Sequence, residues 1–212
     1  MTEKKLNEIK NHYFGLFDRL YNESVWFMEM VDAKFNGNLA RECDYDIHIA
    51  VEPLGMSFAS GCYKGCFISD TCDWVVKIPF GSQVNSCEQE CQIYGAAIER
   101  GLEYFFAEVY YLGEYKGCPV YAYPYAEIDT GKITEYLEAD VKNYFSHSEH
   151  SFEEEGWFWD DPCEQIGYVI DQMFKMSNRL SSFLDEFDIC DLHLGNCGFI
   201  NEHFVFTDYA SN

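Results

Sequence analysis

The sequence is poor in positive charge. Its 212 residues include only 14 lysines and arginines against 37 aspartates and glutamates, which gives a formal net charge of −23 at pH 7. Proteins that bind DNA or RNA directly contact the phosphates through lysine and arginine, so this imbalance argues against a nucleic-acid binder. The same charge favours solubility and association with a basic protein partner.

Long hydrophobic runs are also missing. No apolar stretch approaches the roughly 18 residues that a membrane span requires, and no apolar signal core follows the first five residues, Met-Thr-Glu-Lys-Lys. Paired C-x-x-C motifs are absent although ten cysteines are present, so the cysteine spacing does not predict a zinc site. We therefore expect a cytoplasmic protein with reduced cysteines and no membrane segment.

What the sequence does contain is enough apolar material for one sizeable core or two small lobes. Hydrophobic residues make up 48% of the chain and aromatic residues 18%, which excludes disorder as the overall state. Residues 4–32 carry apolar positions at helical spacing and predict one long or two shorter helices. The triplet Asn36-Gly37-Asn38 predicts the end of this segment. We assign residues 1–44 to an N-terminal helical extension.

The middle of the chain predicts an antiparallel sheet with one helix. Short apolar runs alternate with turn residues, which is typical of neighbouring strands joined by short links. One longer segment has helical periodicity, with Ser86 as a candidate N-cap and Gly101 as a candidate C-cap. The predicted elements in chain order are strands at 46–51, 62–68 and 74–78, a helix at 82–100, and strands at 105–112 and 119–125.

The last third of the chain predicts helices followed by a tight hairpin. Residues 131–145 and 164–187 have helical patterns, and an acidic, tryptophan-containing loop at 147–162 separates them. That loop either forms a contact surface or covers the following helix. Apolar runs at 197–200 and 204–206, separated by Asn-Glu-His, predict the hairpin.

Polar residues around this hairpin suggest phosphate chemistry. Asp191 and Asn196 precede it and Asp208 follows it, so a rigid hairpin can place a base and two metal-binding oxygens around a phosphate. Lys77 lies in the apolar run Trp-Val-Val-Lys-Ile. It is either an edge-strand lysine in water or a lysine that points into a cleft, toward an acid and a phosphate.

The helix after Lys77 offers two acids as its partner. Glu90 lies one turn before an apolar stripe and can therefore face inward. Glu88, two residues earlier, remains the alternative. The sequence pattern alone does not decide between these two acids.

The order of these motifs resembles the protein-kinase-like fold. A glycine-containing hairpin, a Val-Val-Lys strand, a glutamate-bearing helix, two strands, a linker, helices, Asp-x-x-x-x-Asn and Asp-Tyr-Ala follow one another within residues 46–212. The stretch Asp191-Leu-His-Leu-Gly-Asn196 is similar to the aminoglycoside-phosphotransferase branch and to small kinase-like proteins of bacteria and phages. The resemblance implies an α+β, two-lobed fold with an N-lobe at 45–127 and a minimal helical C-lobe at 128–212.

The resemblance also implies a role for each of these polar residues. Asp191 is expected to orient the acceptor hydroxyl as the base, while Asn196 and Asp208 hold Mg²⁺. Lys77 is expected to contact the α and β phosphates of ATP, with Glu90 as its partner. His193 is expected either to contact phosphate or metal or to support the loop through a hydrogen bond. The remaining expected nucleotide contacts are Gly55, Ser57 and Ser60.

The sequence departs from the kinase pattern in three places. Serines replace expected glycines in the loop 55–61, and Ile189-Cys190 stand where protein kinases have His-Arg. The chain also ends two residues after Ala210, so we expect no activation segment and no peptide-binding platform.

Two classes of function follow from the sequence. The first is ATP- and Mg²⁺-dependent phosphotransfer to a protein or to a small hydroxyl compound, of which an antibiotic kinase is the less favoured form. The second is a catalytically inactive kinase-like scaffold whose acidic surface binds and inhibits a basic partner, as a mimic of nucleic-acid charge.

Overall fold

The computed structural model describes residues 1–61, 63–80, 85–129, 131–133, 135–136, 178–189 and 194–210. It shows a mixed α+β protein with an antiparallel sheet. The chain divides into two compact units. The first unit comprises Met1–Ala96 and Glu108–Tyr125, and the second comprises Ala97–Ala107 and Ala126–Asn212.

The elements of the described residues are as follows. The helices are α1 (Glu3–Glu23), α2 (Val25–Asp32), α3 (Gly37–Val51), α4 (Ser86–Arg100) and α5 (Asn178–Glu186). The strands are β1 (Met56–Ser60), β2 (Lys64–Ser69), β3 (Trp74–Pro79), β4 (Tyr110–Tyr115), β5 (Cys118–Pro124), β6 (Cys197–Ile200) and β7 (His203–Phe206). Short 3-10 turns occur at Glu52–Leu54, Glu103–Phe105 and Leu194–Asn196.

The first helical segment forms two helices, because one serine separates them. The Ser24 backbone N–H donates to the Leu20 carbonyl and closes α1, while the Ser24 hydroxyl accepts from the Phe27 N–H and opens α2. Of the two predicted forms, the pair of shorter helices is therefore the correct one.

Residues 46–51 were predicted as a strand, and this prediction is wrong. They form the last part of α3, which the Asn36 side chain caps by accepting from the Asn38 N–H at 3.0 Å. Ile47 and Val51 are four residues apart and fully buried. Since residues at i and i+4 lie on one helical face, burial of this pair outweighs the local period-two pattern. The triplet around Gly37 accordingly begins a helix instead of ending one.

The sheet of the first unit has the order β1-β2-β3-β5-β4, with antiparallel pairing between neighbours. Its first strand is β1, which lies in the segment 55–61 that was predicted as a loop. The later strands and the helix between β3 and β4 agree with the predicted order. A two-residue turn at Lys116-Gly117, with positive φ at both positions, joins β4 to β5.

One face of this sheet packs against the N-terminal helices. Phe67 of β2 and Val76 of β3 are fully buried in one core with Tyr13 and Phe17 of α1 and Phe27 of α2. The ring of Phe17 lies 4.9 Å from that of Phe67 between centroids. Residues 1–44, which the sequence assigned to an extension, thus share a core with the sheet.

Helix α4 begins one residue away from the predicted cap. Asn85 is the N-cap, because its Oδ1 accepts from the Glu88 N–H at 3.0 Å. Gly101 adopts φ +63° and ends the helix as predicted, with the Leu102 N–H donating to the Ala97 carbonyl.

The second unit contains the predicted hairpin, which the structure confirms. Strands β6 and β7 pair antiparallel, from Cys197 opposite Phe206 to Ile200 opposite His203. The turn residues Asn201 and Glu202 both have positive φ, at 50° and 65°, as the right-handed twist of a two-residue hairpin requires.

Several predicted segments fall wholly or partly outside the described residues. Of the helix predicted at 164–187, the structure describes α5, and of the one at 131–145 it describes five residues with helical backbone. The acidic loop at 147–162 lies outside the described residues. Among the helices that are described, none is both long and apolar enough to cross a membrane.

Candidate functional site

The face of the sheet opposite the N-terminal helices carries the polar side chains of the candidate site in the first unit. Residues directly opposite each other in neighbouring strands point to the same face. Lys77 stands opposite Cys66 in β2 and Tyr121 in β5. Lys64 lies two residues from Cys66, and Tyr123 lies two residues from Tyr121. Because side chains alternate between the two faces of a strand, Lys64 and Tyr123 share this face with Lys77.

Helix α4 adds a buried acid to this face. Glu90 is fully buried, on a stripe with Cys87, Ile93 and Tyr94 that follows the helical period. Glu88 is exposed, and its backbone N–H serves the Asn85 cap. Of the two acids offered by the sequence, Glu90 is therefore the one that faces the sheet.

Glu90 lies in a buried ion pair that sequence reasoning missed. Its Oε1 accepts from the Lys64 Nζ at 2.8 Å, and its Oε2 accepts from the Tyr123 hydroxyl. The exposed fractions of the Lys64 and Glu90 side chains are 8% and 0%. Because both carboxylate oxygens have donors, the charge is well compensated. Removal of one partner of such a pair typically costs about 3–5 kcal/mol.

Lys77 lies beside this cluster. Its Nζ is 4.2 Å from the centroid of the Tyr123 ring, a cation–π contact, and the residue is half-buried. The same tyrosine therefore contacts Glu90 through its hydroxyl and Lys77 through its ring. Lys64, Lys77 and Glu90 together carry one net positive charge, within a chain whose charge is −23.

Cys87 lies at the edge of the cluster but is not activated as a nucleophile. Burial raises the pKa of its thiol from an ordinary 9.0 to about 11, although the Lys64 and Lys77 cations and a hydrogen bond with Tyr123 act in the opposite direction. The thiol is therefore protonated at neutral pH, and the reactive form of cysteine is the thiolate.

The predicted glycine and serine loop does not exist as one loop, which corrects that expectation. Gly55 adopts φ +65° before β1, where its carbonyl accepts from the Asp70 N–H. Ser57 and Ser60 lie within β1. At a rise of roughly 3.3 Å per residue, Gly55 and Ser60 are about 16 Å apart along the strand. The Ser60 hydroxyl donates to Asp44 Oδ1 at 2.7 Å, so this serine has a hydrogen-bond partner within the protein. The nucleotide contacts expected of these residues stay a prediction.

The two predicted metal ligands of the second unit lie at the open end of its hairpin. Asn196 directly precedes β6, and Asp208 follows β7 by two residues. The Thr207 N–H donates to the Asn196 carbonyl at 2.8 Å, which extends the ladder and brings both backbone segments together. The hairpin thus brings the backbone at Asn196 close to the backbone that leads into Asp208, although the two residues are twelve apart in sequence.

Tyr209 anchors the segment that carries Asp208. It is buried, and its hydroxyl donates to the Ala107 carbonyl at 2.8 Å. Its ring meets the ring of Phe106 edge-on, with 5.0 Å between the centroids. A tyrosine at this position therefore fixes the backbone immediately after the acid.

Gly198 permits a close backbone approach in the same hairpin. A Cβ atom there would lie 3.0 Å from the Ala126 Cβ and 3.1 Å from the Glu127 carbonyl oxygen. This proximity allows Glu127 and Phe199 to exchange two backbone hydrogen bonds of 2.9 Å. The strand that begins next to Asn196 is thereby held in place.

The residues at the hairpin end suit a hard divalent cation. Carboxylate and amide oxygens are ligands that Mg²⁺ accepts, and Mg²⁺ commonly takes one or two protein ligands together with substrate phosphates. Within the described part of the chain, no cluster of three His, Cys, Asp or Glu side chains is arranged to hold a metal alone. Asp191 and His193, the other two predicted site residues of this region, lie outside the described residues.

A signal for Lys64 was present in the sequence. Lys64, Cys66 and Ile68 alternate along β2, so the lysine shares a face with an apolar side chain. The argument that singled out Lys77 applies equally to Lys64. Tyr123 carried no comparable signal, because tyrosines are frequent throughout this chain.

Comparisons with known proteins add no family to these observations. No protein-family model, no curated protein and no solved structure matches the sequence.

Proposed function

We propose that this protein is an ATP- and Mg²⁺-dependent phosphotransferase with a kinase-like, two-lobed arrangement. The observation that carries the proposal is the buried Glu90 on α4, held by Lys64 and Tyr123 next to the Lys77 ammonium. In protein kinases, a glutamate on a helix pairs with a lysine on the adjacent antiparallel sheet, and that lysine contacts the nucleotide phosphates.

Lys77 is the proposed phosphate contact. A lysine ammonium is a compact charge that binds phosphate oxygens. Its half-buried position lowers the local dielectric constant and strengthens that attraction relative to bulk water. Because the chain repels anions overall, a local cation is required to attract a nucleotide.

Asn196 and Asp208 are the proposed Mg²⁺ ligands. Their chemistry fits this ion, and the hairpin and Tyr209 limit their freedom to move. A bound Mg²⁺ supplies neutralisation of charge on the transferred phosphoryl group. Asp191 is the proposed base that orients the acceptor hydroxyl, on the sequence motif alone. The acceptor is a protein or a small hydroxyl compound, and the proposed location is the cytoplasm.

Binding of Mg-ATP tests this function directly. A nucleotide that binds the folded protein raises its melting temperature with concentration, following RT ln(1 + [L]/Kd). Transfer of labelled phosphate that is lost in Asp191→Ala and Asp208→Asn, but retained in Lys4→Met at an exposed position, supports catalysis. Absence of any Mg-ATP binding contradicts the proposal.

A second candidate function has its own observation. Residues 126–212 hold 19 of the 37 acidic residues but only 4 of the 14 lysines and arginines. This asymmetry suits a binding protein that uses an acidic surface to capture and inhibit a basic partner. The scaffold would then be kinase-like without catalysis.

Salt dependence distinguishes the second candidate. A complex held by opposite charges at its rim dissociates when the ionic strength rises, since the Debye length shortens from about 10 Å at 0.1 M to about 3 Å at 1 M. A salt-sensitive complex with a basic protein, formed without Mg-ATP binding, would favour the inhibitor. Mg-ATP binding together with labelled-phosphate transfer would favour the enzyme.

A further inference from the structure

The cluster around Glu90 contains a chain of contacts between the two lysines. The Lys64 ammonium contacts Glu90 at 2.8 Å, Glu90 accepts from the Tyr123 hydroxyl, and the Tyr123 ring lies under the Lys77 ammonium at 4.2 Å. Each link uses a different group, so no atom is shared between two of these contacts. The chain joins β2, α4, β5 and β3 in one connected network.

Lys64 and Lys77 differ in their surroundings. Lys64 is almost fully buried, and its ammonium is engaged by a carboxylate. Lys77 is half-buried and lies on the face of an aromatic ring. Because Lys77 is less buried than Lys64, its ammonium is the more accessible of the two to a phosphate.

We propose that Lys64 is a positioning residue for the Lys77 ammonium. Lys64 fixes one oxygen of Glu90, the other oxygen fixes the Tyr123 hydroxyl, and the oriented ring sets the place of the Lys77 charge. The ligand class that this charge serves is a nucleoside triphosphate bound through its phosphates. This inference rests on the proposed function, and it adds Lys64 and Tyr123 to the residues on which that function depends.

Binding of two related ligands distinguishes positioning from simple stabilisation. Mg-ATP contains the phosphates that Lys77 would contact, whereas adenosine lacks them. Displacement of the Lys77 charge weakens only the phosphate contacts, so the affinity for ATP falls and the affinity for adenosine stays. A general loosening of the fold lowers both affinities together.

The variants follow from the individual contacts. Tyr123→Phe keeps the ring under Lys77 but removes the hydroxyl that reaches Glu90. Tyr121→Phe is the matched control, since Tyr121 lies on the same strand and face and its hydroxyl accepts from Asn85 instead. Lys64→Met removes the ammonium, and Lys64→Arg keeps a cation that can reach the carboxylate.

The expected result is a selective loss of ATP affinity, measured by isothermal titration calorimetry. We expect Lys64→Met to weaken Mg-ATP binding about tenfold or more and Tyr123→Phe about threefold or more, with adenosine affinity unchanged within twofold. Lys64→Arg should restore most of the affinity, and Tyr121→Phe should match the parent protein. If Lys64→Met does not fold, the ATP and adenosine affinities of Tyr123→Phe, compared with those of Tyr121→Phe, test the inference without it.

Two results would overturn the inference, and they differ from the failure of the proposed function. Parallel losses of ATP and adenosine affinity would show that Lys64 and Tyr123 act only on stability. Unchanged ATP affinity in Tyr123→Phe and in a folded Lys64→Met would show that they do not act on Lys77. If the parent protein binds no Mg-ATP, the proposed function fails and this inference fails with it.

Discussion

At the scale of single residues, hydrogen-bond partners distinguish two buried ionisable groups of α4. Glu90 is buried with two donors on its carboxylate, so its charge is compensated within the protein. Cys87 is buried one helical turn away, and burial raises the pKa of its thiol to about 11. Cys87 and Glu90 thus share a buried environment on one helix, but only Glu90 has a lysine ammonium as a hydrogen-bond donor.

The raised pKa of Cys87 predicts a loss of stability at alkaline pH. The unfolded thiol ionises near its ordinary value of 9.0, whereas the folded thiol ionises near 11. The folded state therefore binds more protons between these values, and the free energy of unfolding falls as the pH rises through them. We expect this group to contribute a decrease on the order of 2 kcal/mol, measured by urea denaturation under reducing conditions.

The control for this prediction is Cys87→Ala. This variant lacks the thiol, so its unfolding free energy should decline less between pH 9 and 11 than that of the parent protein. A decline of the same size in both proteins would mean that other groups, such as the half-buried Cys91 thiol, cause the whole effect.

At the scale of the elements, turn chemistry was the most informative part of the sequence. The hairpin at β6 and β7 was predictable because two short apolar runs flank only three polar residues. Gly101 was predictable as the end of α4 because glycine adopts positive φ without strain. These features depend on neighbours in sequence, so no knowledge of the tertiary structure was required.

Elements that depend on distant contacts were less predictable. Residues 46–51 alternate like a strand, yet burial of Ile47 and Val51 in the core makes them helical. The pairing of Lys64 with Glu90 joins residues 26 apart in sequence. The register of β2 and β3 decides that both lysines share a face, and that register is a property of the folded sheet.

The turn between β6 and β7 predicts a stabilising substitution. Glu202 adopts φ 65°, a conformation that strains a residue with a Cβ atom. We expect Glu202→Gly to stabilise the protein by about 0.5–1 kcal/mol, because glycine is favoured at the second position of this turn. Thermal denaturation measures the change. Glu202→Ala keeps the Cβ atom and should give no such gain, and equal effects of Gly and Ala would contradict this reasoning.

At the scale of the whole molecule, the N-terminal helices belong to the core of the first unit. The sequence predicted their helical periodicity, but it did not show what covers their apolar stripe. Phe17 of α1 contacts aromatic rings from a helix and from two strands, namely Phe27, Phe67 and Tyr115. These helices therefore stabilise the sheet that carries Lys64 and Lys77.

This packing predicts a large effect of a change far from the site. Phe17→Ala removes a fully buried ring, so we expect a loss of about 3–5 kcal/mol in the free energy of unfolding, measured by urea denaturation. Trp26→Ala in α2 is the control, because its side chain is 44% exposed and should cost much less. Equal, small losses in both variants would mean that the helices are an appended segment.

The candidate site was predictable in part. Lys77, Glu90, Asn196 and Asp208 were singled out from motif order, and the structure brings the first two into one cluster and the last two to one hairpin end. The loop of Gly55, Ser57 and Ser60 was wrong, because those positions belong to a strand and its preceding turn. The correct and the wrong predictions differ because the positions of these residues depend on how the strands form and pair. A single sequence does not reveal that pairing.

Calorimetric titration of the parent protein with Mg-ATP tests the central claim most directly. The proposed phosphotransferase should bind Mg-ATP in a saturable manner, and Lys77→Met and Asp208→Asn should each weaken that binding at least tenfold. Exposed substitutions such as Lys4→Met should leave the affinity unchanged. An absence of binding, or binding that neither Lys77→Met nor Asp208→Asn affects, would contradict the account.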